Sequence, residues 1–168
     1  MKAIIYTSNT GSTAEYAQLL GKELNLPVHS LQQAKNKVPA GSEIIYLGWI
    51  MAGEIKGYKE AAKLYKVRAV CGVGMGQTGT QLKEVRDKNA IPQRIPLFTL
   101  QGNFDVKKLH GVYRFMMNVM VKTAGKGLAN KTDRTPEEDD MLDMMVNGGK
   151  RVSLQNLKAV TEWYKSVY

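Results

Sequence analysis

Apolar residues fall in short runs along this chain, and stretches with helical spacing separate the runs. Lys2-Ala3-Ile4-Ile5-Tyr6 opens as a strand. Residues 14–24 follow, with Ala17, Leu20 and Leu24 at i, i+3 and i+7, one apolar stripe of a helix. Pro27-Val28-His29-Ser30 predicts a short second strand, and Pro39-Ala40-Gly41 a turn. Glu43-Ile44-Ile45-Tyr46-Leu47-Gly48 and residues 69–73 are continuous apolar runs, as strands buried on both faces require. Residues 58–66 and 82–88 pattern as helices, and Ile95-Pro96-Leu97-Phe98-Thr99-Leu100 as a fifth strand. A last helix over 154–168 carries Leu154, Leu157, Val160, Trp163, Tyr164 and Val167 on one face.

Five short strands alternating with helices predict an α/β fold, a three-layer sandwich with a parallel sheet covered on both faces. The stretch between strands two and three has little helical pattern, so its helix is expected to be degenerate. No internal repeat or second domain is visible, and residues 1–168 read as one domain. The stretch of about 123–152 is too long for a routine connection and reads as an insertion before the last helix.

The chemistry starts where the first strand ends. Thr7-Ser8-Asn9-Thr10-Gly11-Ser12-Thr13 packs five hydroxyls, one amide and one glycine into seven residues just before a helix. Free backbone N–H groups and the helix dipole make such a turn an anion site. The loop has no Lys, so it is not a Walker-type loop, and it is not G-x-G-x-x-G, which argues against a dinucleotide. Neutral donors suit one phosphate monoester. An ordinary capped βα turn uses the same residue types.

The pattern Ser8-Asn9-Thr10-Gly11-Ser12-Thr13 resembles the FMN phosphate loop of the flavodoxin family. That resemblance implies a five-stranded parallel sheet in the order 2-1-3-4-5, with the ligand at the switch between strands one and three. Gly48-Trp49-Ile50-Met51-Ala52-Gly53, after the third strand, resembles the family's isoalloxazine loop. The position that usually carries a ring-covering aromatic holds Ala52, and the loop's aromatic is Trp49. Trp49 either stacks on the flavin or fills the core. Val70-Cys71-Gly72-Val73-Gly74-Met75 resembles the strand end before the third flavin loop, which continues as Gly76-Gln77-Thr78-Gly79 with no aromatic. Glycines there let backbone approach the ring edge closely.

Composition changes the picture in one respect. The 168 residues are 43% hydrophobic and 23% charged, as in a globular domain with a sizeable core. One cysteine, Cys71, excludes an internal disulfide framework, and its apolar surroundings point to an inert buried thiol. No signal-peptide pattern and no stretch of about 18 apolar residues is found, so the cytoplasm is expected, with the inner face of the membrane open as a contact. The net charge is +9. Seven basic residues (Lys107, Lys108, Arg114, Lys122, Lys126, Lys131, Arg134) and one acidic one (Asp133) between positions 107 and 134 carry a net +6 of it.

Residues 106–123 pattern as a Met-bearing helix, with Arg114, Asn118 and Lys122 at i, i+4 and i+8. A basic amphipathic helix of this kind either lies on an anionic membrane through the stretch from Tyr113 to Gly127 or covers the sheet with its charges in water. Thr135-Pro136-Glu137-Glu138 starts a further helix as a capping box. Its Asp139, Asp140 and Asp143 lack the His or loop geometry a metal site would need, and no metal is expected. His29 reads as structural and His110 as a solvated surface residue.

Arg114-Phe115-Met116 with Lys122 and Gly125 resembles the menaquinone-dependent protoporphyrinogen oxidase branch of the flavodoxin-like proteins. That branch implies FMN, an anionic porphyrinogen-type substrate and a quinone acceptor at the membrane, in a protein whose cofactor does the redox chemistry without a catalytic acid or base. The alternative is a soluble electron-transfer flavodoxin. Cationic surroundings would stabilise an anionic reduced flavin and give a midpoint potential less negative than that of an acidic flavodoxin. No aromatic-basic surface or recognition helix points to nucleic acid.

Overall fold

A computed structural model describes residues 1–104 and 111–168, with the backbone alone for 112, 113, 116 and 117. The chain runs β1 (Ala3–Thr7), α1 (Ser12–Leu24), β2 (Val28–Ser30), α2 (Leu31–Lys37), β3 (Glu43–Met51), β4 (Glu54–Ile55), α3 (Tyr58–Leu64) and β5 (Lys66–Gly74). It continues with α4 (Leu82–Asn89), β6 (Leu97–Gln101), α5 (Gly111–Ala129), α6 (Pro136–Asn147), a 3₁₀ turn (Leu154–Leu157) and α7 (Lys158–Val167). Parallel strands lie in the order β2-β1-β3-β5-β6, which is the predicted order with β4 added to β3.

Alternation along β3 builds the two cores. Ile44 and Tyr46 point to one face, where Leu31, Tyr58, Ala61 and Val85 of α2, α3 and α4 cover them. Ile45 and Leu47 point to the other, under Tyr16, Ala17 and Leu20 of α1 and Val160 of α7. Each large apolar side chain buried this way contributes about 2 kcal/mol. Tyr16 extends the predicted α1 stripe, and its hydroxyl lies 2.6 Å from the Gln101 carbonyl oxygen. Burial raises its pKa.

Several elements depart from expectation; among them, the predicted helix 58–66 ends at Leu64 and Lys66 already belongs to β5. α2 is a regular helix, because Ser30 and Gln33 close a capping box that apolar periodicity does not reveal. The first turn of the last helix is 3₁₀. The expected loop at 48–53 is in fact strand and hairpin: β3 runs on to Met51, turns at Ala52 and Gly53, and pairs antiparallel with β4. The hairpin fits because Gly48 and Gly72 are cross-strand neighbours. A Cβ on Gly48 would meet Ile55 Cγ2 at 2.5 Å and the Lys56 carbonyl at 2.6 Å; one on Gly72 would meet Ile50 Cδ1 at 2.8 Å.

The helical excursion after β6 starts and ends at one knot. Phe104 N–H donates to the Gly149 carbonyl at 2.9 Å and Gly149 N–H returns the bond at 3.1 Å. Asn103 Oδ1 accepts the Arg151 and Val152 amides at 2.7 and 3.0 Å. The capping box predicted at Thr135 forms, with Glu138 as its N3 partner. α5 is observed from Gly111 to Ala129, six residues beyond the expected end at 123. The expected helix start at Val106, with Lys107, Lys108 and His110, lies outside the described residues.

Candidate functional site

The C-terminal ends of β1, β3 and β5 open into a cavity of about 400 Å³, at the point where the strand order reverses. Ligands of open parallel sheets sit in this place, and the volume is within the range of small-molecule sites. Asn9, Thr10, Ser12 and Thr13 line it from the opening loop. Ser8 and Gly11 line a second cleft on the other side of that loop.

The loop's local geometry assigns its hydroxyls different tasks. Gly11 adopts φ +105°, a left-handed conformation, and caps α1 without a side-chain bond to the first-turn amides. Ser8 Oγ accepts the Gly11 amide at 3.2 Å. Ser12 Oγ is engaged by the Asn103 amide at 3.0 Å. Thr7 Oγ1 lies 2.8 Å from the buried Tyr46 hydroxyl. The side chains of Asn9, Thr10 and Thr13 make no hydrogen bond among the described residues. Of the loop's five hydroxyls, Thr10 and Thr13 therefore combine contact with the cavity and freedom to bind.

The β3–β4 hairpin forms the second wall. Trp49, Ile50, Met51, Ala52 and Gly53 all line the cavity, and Trp49 is half-buried there. Gly48 does not line it; it lies buried under β4, so its absent side chain serves the hairpin. Ala52 and Gly53 have φ +49° and +76°, the pattern of a type I′ turn. The left-handed conformation costs Ala52 about 1 kcal/mol. Asn89, unforeseen in the sequence, holds the hairpin in place. It is 3% exposed. Its Oδ1 accepts the Ile55 amide at 2.8 Å, and its Nδ2 lies 2.8 Å from the Gly53 carbonyl and 2.7 Å from that of Val85.

Gly74, Met75 and Gly76 line the third wall, while Gln77 faces a smaller cleft against α6. This loop is bonded to β6 through Gly79 N–H to the Thr99 carbonyl and Gln101 N–H to Thr78 Oγ1, both at 3.0 Å. The α4 side adds Gln81 and Glu84.

A fourth wall was not legible in the sequence. Phe104, Met120, Met141 and Met145 line the cavity from the excursion after β6, facing Met51 and Met75. Five of the nine methionines thus meet at one opening. α6 is tied down by the Gln101 amide, 2.5 Å from Asp140 Oδ2, and by Arg151 Nη2, 3.1 Å from Asp140 Oδ1. Glu84 is the one ionisable residue among the described residues that form this lining; Lys107 and Lys108 of the basic window lie outside the described residues. Arg114, Lys122 and Lys126 are exposed on α5. No His, Cys, Asp and Glu cluster able to hold a metal occurs among the described residues. Among them, no helix is long and apolar enough to cross a membrane.

A family model described as a flavodoxin domain matches residues 3–131, well over half of the chain. The chain belongs to the flavodoxin family. No curated protein and no solved structure matches it. Membership implies flavin binding. The residues present fit such a group: free hydroxyls and an uncapped helix N-terminus stand at one end of the cavity, and Trp49, Ile50, Met51 and Val73 give it apolar walls.

Proposed function

We propose that this flavodoxin-family protein is an FMN-dependent oxidoreductase. Its phosphate site is formed by Thr10, Thr13 and the first-turn amides of α1. Ser8 and Ser12 shape that loop. The ring site lies between Trp49, Ile50, Met51, Ala52 and Gly53 of the hairpin and Gly74, Met75 and Gly76 of the third loop, with Gln77 at its edge. Bound FMN would supply hydride and electron transfer; the chain supplies binding, orientation and exclusion of water.

The observation that carries the reading is the wall of Met120, Met141 and Met145 across the opening. Flexible, polarizable thioethers adapt to flat apolar molecules. With Glu84 as the one ionisable residue among the described residues of the lining, a neutral ring such as a quinone suits the cavity better than an anionic donor. A protoporphyrinogen-type or other anionic substrate would depend on the cations of α5, outside the lining. The test is anaerobic: photoreduced FMN-loaded protein is mixed with a menaquinone analogue, and oxidised protein is mixed with protoporphyrinogen as donor and that quinone as acceptor. Reoxidation of the bound reduced FMN by the quinone, which takes up its two electrons and two protons, is expected to outpace that of free reduced FMN; no acceleration in either assay defeats the oxidoreductase reading and favours an electron shuttle.

The outer side of α5 supports peripheral contact with an anionic bilayer. Phe115 is 69% exposed and Val119 45%, next to Arg114, Lys122 and Lys126. Apolar side chains beside cations suit the interface plane. Sedimentation with anionic vesicles, weakened by salt and by Phe115→Ser, is expected. Equal binding to neutral vesicles would refute it.

A further inference from the structure

We infer that Asn89, a residue outside the cavity, sets the affinity of this protein for the ring of its cofactor, as a positioning residue for the β3–β4 hairpin. The assignment rests on the flavin reading above.

Asn89 closes α4, yet two of its three hydrogen bonds leave that helix. One reaches the Gly53 carbonyl and one the Ile55 amide, the two sides of the turn that lines the cavity. The turn needs such a hold. It has only two residues, one is Ala52 in a left-handed conformation, and β4 is two residues long. A β4 this short cannot fix its own geometry. The Asn89 amide matches the turn with one acceptor and one donor, and its third bond, to the Val85 carbonyl, fixes its rotamer. Nearly complete burial removes water as a competitor for those bonds. Loss of the side chain would leave the Gly53 carbonyl and Ile55 amide without their partner, and the turn would sample positions displaced from the ring. The phosphate end, on β1 and α1, would not feel the change.

Asn89→Ala should weaken binding of riboflavin and of FMN by the same factor, roughly tenfold, about 1.4 kcal/mol. The induced visible circular dichroism of the bound ring should also fall. Arg86→Ala is the control: it removes bonds from the same helix to the Ile91, Pro92 and Ile95 carbonyls, away from the hairpin. It should lower thermal stability without changing either affinity. If Asn89→Ala does not fold, Asn89→Asp, which keeps an acceptor for Ile55, is measured the same way and should also weaken both ligands. Unchanged riboflavin affinity in the variant overturns the assignment, as does an equal loss in Arg86→Ala. Wild-type protein that binds neither ligand overturns the flavin reading and this assignment with it.

Discussion

The Asn103 amide donates to Ser12 Oγ at 3.0 Å, which joins the end of β6 to the first turn of α1 across 91 residues of sequence. The same asparagine receives the Arg151 and Val152 amides on its side chain, where the helical excursion returns. One residue therefore ties the opening loop to both ends of the segment that walls the cavity. Asn103→Ala would strip two part-buried amides of their acceptor. A loss of about 2 kcal/mol is expected, read as a lower denaturant midpoint with an unchanged slope. Asn103→Asp keeps that acceptor but sets a carboxylate where Nδ2 donates to Glu15 Oε2 at 3.2 Å, so it should recover only part of the loss, and less at low salt. A midpoint equal to wild type in the alanine variant would show that the knot contributes nothing.

Two glycines with left-handed backbones should respond differently to alanine. Gly57, at φ +80°, faces the Tyr46 hydroxyl and Thr7 Oγ1 so closely that a Cβ would collide with both. Gly11, at φ +105°, has nothing within 4 Å of a built Cβ. Gly11→Ala should cost about 1 kcal/mol of backbone strain. Gly57→Ala adds overpacking and should cost about 3 kcal/mol or more. Thermal melts of the two variants decide this; equal losses would contradict the packing account.

Much of the fold was open to reading because strands buried on both faces announce themselves as apolar runs, as in residues 43–47 and 69–73. The turn from β1 into α1 was legible for a local reason, since hydroxyls and a glycine between an apolar run and a helical stripe mark a strand-to-helix turn. The hairpin was hidden because Gly48 and Gly53 bracket a strand end and a tight turn in the same letters that write a loop. Asn89 was hidden because its partners, Gly53 and Ile55, lie more than 30 residues earlier in the chain. The methionine wall was hidden for a related reason: periodicity shows that a helix has an apolar side, and only the Phe104–Gly149 bridge decides what that side covers.

Alkaline conditions should destabilise the protein through Cys71. Complete burial pushes its thiol from 9.0 up to about 12. The native state keeps the proton while the unfolded chain releases it above pH 9. Stability is thus fully present below that pH and falls by about 1.4 kcal/mol per unit until the native thiol also ionises. Tyr46, whose phenol is also raised by burial, adds a loss in the same direction above pH 10. Denaturant midpoints measured from pH 8 to 11 should show a decline beginning near 9. In Cys71→Ala the decline should begin nearer 10. An identical onset in the two proteins would exclude the thiol as its source.

Thr10 and Ser12 sit two residues apart and should separate binding from stability. Ser12 Oγ is bonded to Asn103, so Ser12→Ala should cost about 1 kcal/mol of stability, read as a lower denaturant midpoint. Thr10 has no such bond, and Thr10→Val should leave the midpoint near wild type. In the flavin reading it should weaken FMN about tenfold and leave riboflavin, which has no phosphate, unchanged. Loss of riboflavin affinity in Thr10→Val would place the threonine against the ring or ribityl chain instead.

Asp140 should govern how firmly the methionine wall closes. It is bonded to Gln101 of β6 and to Arg151, and its side chain keeps a quarter of its exposure. Solvent weakens such bonds, so Asp140→Ala should lower global stability by about 1 kcal/mol at most. Locally the effect is larger in kind, because among the described residues the ties of α6 that remain are few: the buried Met144 and Met145, the Arg151–Asp143 pair and the Phe104–Gly149 bridge just past its end. Local opening then needs less free energy than global unfolding. Brief native-state proteolysis should cut the variant within 111–147 several times faster than wild type, while circular dichroism melts nearly coincide. Equal cleavage rates would mean that α6 is held against the sheet without Asp140.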